Sequence, residues 1–255
     1  MKDFAGVIIT FSRPNYYKQL MTSLENAYDN DFDWFVFQDS IKNSLLPKDK
    51  KRFLNKELIE ENISITKNSK LNIISNNVSE NNIGVNSQIN KAMDLFSDYK
   101  TLLIFEDDLV VSPFYLRLLK NCSKQYPNIV TTFHSIKKDN IKIPEDLNVL
   151  RPAKLPRLWG FYLTRSAWDK FNHVWYGSYR PDLIVPYYDV IFTKAIRSYT
   201  DGKYEPVVSR AFNIGIDGIL STNKKSWSMR KLNTQTAKIK YKEDTNLSEF
   251  ILKGE

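Results

Sequence analysis

The stretch Leu102-Leu103-Ile104-Phe105-Glu106-Asp107-Asp108-Leu109-Val110-Val111 places three adjacent acidic residues directly after an apolar run. Such a run predicts a buried strand. Three carboxylates at the end of a buried strand repel one another and are costly there without a cation. Because ligands bind at the carboxyl ends of strands in open α/β sheets, the stretch predicts a site in which Asp108 holds a divalent cation. A solvent-exposed acidic turn is the alternative that the residues leave open.

The segment at the start of the chain predicts a strand–helix–strand unit. Residues 4–11 form a β-rich apolar run, and Ser12-Arg13-Pro14 is a typical helix start. A second apolar run at 34–37 ends in Gln38-Asp39-Ser40. Two strands joined through a helix are expected to be parallel, so the chain begins as a Rossmann-like α/β fold.

Helical and strand patterns continue to about residue 222, which predicts one α/β domain followed by a basic tail at 223–255. The further predicted elements, in chain order, are a helix at 49–61, a strand at 71–74, a helix after Gly84, a helix after Ser112-Pro113, strands at 129–133 and 159–163, helices at 165–175 and 187–199, and an extended piece at 206–210.

The composition limits which metals and partners are compatible with the chain. With 255 residues, one cysteine and two histidines, it has no cysteine or histidine cluster for zinc, so an oxygen-held Mn or Mg ion is expected. The net charge of +8 suits an anionic partner such as a nucleotide diphosphate, nucleic acid or membrane surface. The sequence has no membrane-spanning run and no signal-peptide pattern, which predicts a cytoplasmic protein.

Six segments, taken in chain order, share their pattern with one known family. They are residues 8–13, 36–40, 105–114, 158–163, 187–189 with Arg197, and 207–210 with Gly215 and Gly218. Together they resemble the family of N-acetylglucosaminyltransferase I, the inverting enzymes of glycosyltransferase family 13. The resemblance spans roughly residues 5 to 222 and departs from the family at Tyr188, where an acidic residue is usual.

The resemblance implies a GT-A-type fold, which is a Rossmann-like mixed sheet flanked by helices in a single domain. Residues 1–111 would form the nucleotide-sugar half and residues 112–222 the acceptor half. It also implies a metal-dependent, inverting transfer of GlcNAc from a UDP-sugar to a hydroxyl of a glycan or glycoconjugate.

The resemblance assigns donor-binding roles to residues at the ends of the predicted strands. Glu106 and Asp107 would flank the metal ligand Asp108, Arg13 would lie near the donor, and Asp39 would contact the uridine. For Arg13 an exposed surface position is the competing interpretation, and for Asp39 it is a helix or turn cap.

Three further residues complete the predicted site. Ser87, on the helix after Gly84, could line the nucleotide-sugar cleft or belong to a solvated helix face. Asp189 is the predicted general base, with Asp182 as its rival, because an inverting transfer needs a carboxylate to take the acceptor proton. Arg210 could reach the diphosphate, or it could form an internal ion pair.

Two other functions are alternatives to a UDP-sugar glycosyltransferase. A nucleotidyltransferase making nucleotide sugars would usually carry a glycine-rich phosphate loop after the first strand, where this chain has Phe11-Ser12-Arg13-Pro14. A nucleic-acid-binding protein would show a basic recognition motif, whereas the 37 basic residues are scattered, so no nucleic-acid partner is expected. The basic tail could instead contact an anionic inner membrane face that carries a lipid-linked glycan acceptor.

Overall fold

The structure is a computed structural model, and it describes residues 1–27, 29–44, 46, 48–113, 115–125, 130–132, 149–152, 159–179, 188–198, 203–206, 210–215 and 251–252. Within these ranges the helices are α1 Pro14–Asn26, α2 Lys56–Lys67, α3 Gly84–Met93, α4 Tyr115–Gln125, α5 Arg165–Ser178 and α6 Tyr188–Ser198. The strands are β1 Lys2–Thr10, β2 Phe32–Gln38, β3 Ile73–Val78, β4 Tyr99–Glu106, β5 Leu109–Val111, β6 Val130–Thr132, β7 Val149–Pro152, β8 Phe161–Thr164, β9 Lys203–Pro206, β10 Ala211–Asn213 and β11 Ile251–Leu252.

The described strands form one large mixed sheet and one small sheet. The large sheet has the order β11-β7-β9-β6-β8-β4-β1-β2-β3, and the small one pairs β10 with β5. β1 runs parallel to both β2 and β4, while β8 pairs antiparallel with β4. The parallel strands β1, β2 and β4 are apolar almost throughout because helices cover both of their faces.

Alternate residues of the central strands point into two separate cores. Ile8 of β1 and Phe105 of β4 pack on one face, against α1 and α4. Val7 of β1 and Ile104 of β4 pack on the other face, against α3, α5 and α6. The side-chain period of two along a strand produces this division, and the result is a three-layer helix–sheet–helix arrangement.

The mixed α/β sheet flanked by helices that the sequence predicted is confirmed, although several boundaries move. The predicted helix at 49–61 is a 3-10 helix at Lys48–Phe53 followed by α2. The side chain of Asn55 accepts from Glu57 N at 3.0 Å, so this cap sets where α2 begins. The strand predicted at 71–74 is β3, which begins and ends later, at Ile73–Val78. β3 is an edge strand among the described strands of the large sheet, and polar residues suit an edge strand.

The predicted second half of the chain and its tail are described only over some of their residues. β8, from the predicted acceptor half, pairs with β4 of the nucleotide half, so strands of both halves share one sheet. Residues Asp182 and Gly218 lie outside the described residues, as does the basic tail apart from β11, which pairs with β7. In the described part of the chain, no helix is both long enough and apolar enough to span a bilayer.

Candidate functional site

The strand order reverses direction beside β1, and this position locates the candidate site. From β1 the chain adds β2 and then β3 on one side, and β4 then pairs with β1 on the other side. Such a switch point leaves a crevice beyond the carboxyl ends of the two strands, where ligands bind in open α/β sheets. Arg13 follows β1 and the acidic residues end β4, so the fold brings these two predicted groups to the same crevice.

Arg13 forms an ion pair with two of the three acidic residues. Its Nη1 donates to Asp108 Oδ2 at 2.9 Å, and its Nη2 donates to Asp107 Oδ1. The side chains of Arg13, Asp107 and Asp108 are only 11%, 2% and 9% exposed. These carboxylates are therefore buried and paired, and they do not form a solvent-exposed acidic turn. Arg13 is not an exposed surface residue either.

Burial and charge shift the proton affinities of this group in opposite directions. Burial raises the pKa of Asp107, while the Arg13 guanidinium opposes that rise. Burial alone would lower the pKa of Arg13, but the charges of Asp107 and Asp108 raise it above its ordinary value. Arg13 consequently stays charged and offsets part of the carboxylate repulsion.

The carboxyl end of β1 contributes a hydroxyl donor and a backbone donor to Asp107. Thr10 Oγ1 donates to Asp107 Oδ2 at 3.1 Å, and Phe11 N donates to the same oxygen at 3.3 Å. Asn62, which is buried on α2, donates to Thr10 Oγ1 at 2.9 Å and so extends the network away from the crevice. Asp107 thus has a structural role in joining β1 to β4.

Asp108 is held from its other side by the last residue of β10 and the two residues after it. Asn213 Nδ2 donates to Asp108 Oδ1 at 2.9 Å, and Ile214 N donates to the Asp108 carbonyl at 2.8 Å. A Cβ added to Gly215 would overlap the Asp108 carboxylate. Only glycine therefore fits at position 215 while Asp108 keeps this position.

The donors around Asp108 bear on whether it can hold a cation. Among the described residues, each Asp108 oxygen accepts one hydrogen bond, and a carboxylate oxygen has two lone-pair sites. In that same part of the chain, no group of three or more His, Cys, Asp or Glu side chains could hold a metal ion. Each Asp108 oxygen thus keeps one lone-pair site, which fits a Mg or Mn site that uses a single protein carboxylate, and a cation at Asp108 stays a prediction.

Glu106 connects the acidic segment to α6, which carries the predicted base. The Tyr188 hydroxyl donates to Glu106 Oε1. Burial and the Asp108 charge raise the pKa of Glu106 to about 7, against the effect of this hydrogen bond. Asp189 is the next residue after Tyr188, and it is exposed, with its Oδ1 accepting from Val190 N at 2.8 Å.

The polar face of α3 contacts the helices of the second half of the chain. Tyr179 OH donates to Ser87 Oγ at 3.2 Å, and Trp175 Nε1 donates to Asn90 Oδ1 at 3.0 Å. Tyr188 N donates to Asn86 Oδ1 at 2.8 Å. This face thus contacts α5, Tyr179 just after it, and α6, while Ser87 and Asn90 keep partial exposure to solvent. A donor contact by Ser87 stays a prediction.

Asp39 lies at the carboxyl end of β2 and holds the turn before α3. Its Oδ1 accepts from Ser40 N and Ile83 N, and its Oδ2 accepts from Gly84 N and Asn82 Nδ2, all at 2.8–3.0 Å. Gly84 has a φ of 72°, a left-handed conformation that favours glycine. Burial raises the pKa of Asp39, and the backbone N–H groups partly offset that rise. These contacts match the cap interpretation, and a contact with uridine stays a prediction.

Arg210 is buried beside the same acidic segment. It is 2% exposed, and its carbonyl accepts from Ser112 N at 2.9 Å. It immediately precedes β10, which pairs with β5 just after Asp108. The structure thus places Arg210 just before β10, whose partner strand β5 follows the predicted metal ligand, and its diphosphate contact stays a prediction.

Comparison with solved structures identifies a similar fold. Residues 1–349 of TarS from S. aureus match with a TM-score of 0.52 and 14% identity, over 92% of this chain and 65% of that one. The same TarS segment in complex with UDP-GlcNAc matches with a TM-score of 0.54 and 14% identity, over 92% of this chain and 66% of that one. The fold is GT-A-like. The GT-A fold that the resemblance implied is therefore confirmed, whereas membership of the N-acetylglucosaminyltransferase I family stays a prediction.

The likeness to TarS has limits in both sequence and length. A longer TarS structure matches with a TM-score of 0.52 and 12% identity, over 96% of this chain and 44% of that one. The chain thus spans less than two thirds of each of these TarS structures. No protein-family model matches the chain, and no curated protein matches it significantly.

The sequence predicted no role in the site for three residues that hold it together. Thr10 contacts Asp107, Asn213 contacts Asp108, and Tyr188 contacts Glu106. Each is a common residue type in an ordinary local pattern. Only Tyr188 carried a signal, as the position where the chain departs from the family pattern.

Proposed function

We propose that this protein is an inverting, metal-dependent glycosyltransferase that uses a UDP-sugar, with GlcNAc as the sugar. The observation that carries the proposal is the buried group of Arg13, Asp107 and Asp108 at the switch point between β1 and β4. In a GT-A-like fold this crevice is where a nucleotide diphosphate would bind. The UDP-GlcNAc in the complex of the similar TarS structure supports the choice of donor.

The charges at the crevice suit a leaving diphosphate. Arg13 and Arg210 would hold the phosphate oxygens, because a guanidinium offers paired donors to them. Glu106, Asp107 and Ser87 would border the donor, and Asp39 would contact the uridine. Asp108 would hold Mn or Mg together with the diphosphate. When bound, the cation stabilises negative charge on the leaving UDP.

The transfer itself would use Asp189 as general base. The acceptor hydroxyl oxygen forms a bond to the anomeric carbon, and its proton moves to the Asp189 carboxylate. The bond from the anomeric carbon to the UDP oxygen breaks, and UDP leaves with the electron pair. Attack from the face opposite UDP inverts the configuration at that carbon. The acceptor is proposed to be a glycan or a lipid-linked glycan.

The proposal can be tested without knowing the acceptor, because water can take its place. The measurement is the release of UDP from UDP-GlcNAc, with and without Mn²⁺, together with the shift in thermal unfolding temperature that each ligand causes. We expect UDP-GlcNAc and Mn²⁺ together to stabilise the protein and to give UDP. Pyrophosphate release from UTP and GlcNAc-1-phosphate, with no UDP release, would instead support a nucleotidyltransferase.

The variant Asp108→Ala tests the cation assignment. We expect it to lose Mn²⁺-stimulated UDP release while it keeps the far-UV circular dichroism of the folded protein. Asp169→Ala is the matched control, because Asp169 is half exposed and pairs only with Arg165 on the surface of α5 among the described residues. Equal Mn²⁺-stimulated UDP release by wild type and Asp108→Ala would reject the assignment.

A further inference from the structure

The amino end of α6 is held by hydrogen bonds that it donates to two other elements. Tyr188 N–H, at the first residue of the helix, donates to Asn86 Oδ1 on α3 at 2.8 Å. The Tyr188 hydroxyl donates to Glu106 at the end of β4. The first N–H groups of a helix have no acceptor within that helix, and Asn86 Oδ1 supplies the acceptor for one of them. Because Asn86 and Tyr188 are only 1% and 5% exposed, water has little access to replace these bonds.

These two bonds restrict α6 in a way that its apolar packing does not. Ile191, Phe192, Ala195 and Ile196 bury one face of the helix in the second core. Apolar burial is non-directional, so it permits small rotations and shifts of a helix on its support. A hydrogen bond requires a defined distance and angle, so the bonds at Tyr188 set where the helix begins.

The first residue of α6 determines where Asp189 lies. Asp189 is the second residue of α6, and its carboxylate is exposed. A shift at Tyr188 therefore moves the Asp189 carboxylate by a similar amount. Asn90, on the same face of α3, contacts α5 and not α6, because it accepts from Trp175.

We propose that Asn86 is a positioning residue, which fixes the start of α6 and thereby holds the Asp189 carboxylate in place for proton transfer. The inference rests on the proposed function, in which Asp189 receives the acceptor proton. Asn86 acts through the helix backbone and takes no proton itself. Its removal should slow the chemical step and leave the binding of the donor nearly unchanged, because displacement of a catalytic group lowers rate more than ground-state affinity.

The first test compares Asn86→Ala with Asn90→Ala. Both changes remove an amide from the same face of α3, but only the first removes a bond to α6. The probe is the release of UDP from UDP-GlcNAc by water in the presence of Mn²⁺. We expect Asn86→Ala to lower kcat by about 10- to 100-fold and to change KM for UDP-GlcNAc by less than about 3-fold. Asn90→Ala should change kcat by less than about 3-fold.

A double-mutant cycle separates positioning from general loss of structure. If Asn86 acts through Asp189, Asn86→Ala should lower kcat by less than about 2-fold in the Asp189→Asn background. A loss of the same size in both backgrounds would overturn the inference, as would an unchanged kcat in the single variant. Equal losses in Asn86→Ala and Asn90→Ala would also overturn it.

The outcomes distinguish this inference from the proposed function. If wild type releases no UDP, or if Asp189→Asn is as fast as wild type, the proposed role of Asp189 fails and the inference fails with it. If Asp189→Asn is slow while Asn86→Ala is not, only the inference fails. Hydrogen exchange gives an independent readout, because the Tyr188 amide should exchange faster in Asn86→Ala than in Asn90→Ala, and equal protection would contradict the proposed contact.

Discussion

Arg13 Nη1 donates to Asp108 Oδ2 at 2.9 Å, although 95 residues separate them in the sequence. This bond links the start of α1 to the residue that ends the acidic segment. It places a positive charge beside Asp108, whose neighbours in the sequence are the carboxylates of Glu106 and Asp107. The crevice between β1 and β4 therefore contains its own counter-charge, and a diphosphate or cation that binds there must be accommodated beside Arg13.

Replacement of Arg13 should destabilise the protein. The variant Arg13→Gln leaves Asp107 and Asp108 buried without their cation, and removing one partner of a buried ion pair costs about 3–5 kcal/mol. The free energy of unfolding in urea measures this loss. Lys42→Gln is the matched control, since the Lys42–Glu80 pair is 59% and 82% exposed and such surface pairs contribute about 0–1 kcal/mol. Equal losses in the two variants would contradict the role assigned to Arg13.

Replacement of Asp39 should weaken the turn that leads into α3. In Asp39→Asn one carboxylate oxygen becomes an NH₂ group, which faces N–H donors of the turn and leaves them unsatisfied. A buried donor without a partner costs about 1–3 kcal/mol, so a loss of that size is expected in urea unfolding. Asp98→Asn, at an exposed position, is the control. A stability equal to wild type would show that the four donors around Asp39 do not depend on its charge.

Replacement of Gly215 should impair the site more than the fold. The added methyl group of Gly215→Ala overlaps the Asp108 carboxylate and must displace it. If Asp108 binds the cation, the variant should lose most of the thermal stabilisation that Mn²⁺ with UDP gives to wild type. Full stabilisation of Gly215→Ala by Mn²⁺ with UDP would argue against a cation at Asp108.

Gly177→Ala is the matched control for Gly215→Ala. A Cβ at Gly177 meets nothing within 4 Å, and the residue lies in α5. Alanine in a helix is favoured over glycine by about 0.5–1 kcal/mol, so this variant should be slightly more stable than wild type. Its response to Mn²⁺ with UDP should not change.

The pH dependence of stability should reveal the ion pair between Lys2 and Asp33, which lies at the amino ends of β1 and β2. Lys2 Nζ donates to Asp33 at 2.5 Å, and Tyr99 OH and Asn72 Nδ2 also donate to this carboxylate. Burial opposes ionisation, but these three donors hold the pKa of Asp33 below its ordinary value of 3.8. A carboxylate with a lowered pKa in the folded state stabilises the fold above its unfolded pKa and stops doing so as the pH falls through its folded pKa.

Asp33→Asn should therefore be less stable than wild type at neutral pH. The difference should shrink as the pH falls below the ordinary aspartate value of 3.8. Unfolding in urea at several pH values measures it. A difference that stays constant down to the lowest pH would mean that the charge of Asp33 does not contribute.

The sequence by itself determined most of the elements and the place of the acidic segment. Runs such as 102–105 are apolar because helices cover both faces of their strand, and this pattern is local. The same reasoning placed α1, α3, α5 and α6 close to their observed bounds. Short strands such as β7 and β10 were not predicted, because three or four residues carry too little periodicity to recognise.

Tertiary structure alone decided which side chains meet at the crevice. Arg13 pairs with Asp108 because β4 is inserted beside β1, and strand order depends on how both helical layers pack. The contact of Asn86 with Tyr188 likewise exists only because α3 and α6 cover the same face of the sheet. The apolar pattern of a sequence indicates which residues are buried. The hydrogen-bond partner of a buried residue depends on which helix or strand packs over it, and that is decided by the tertiary structure.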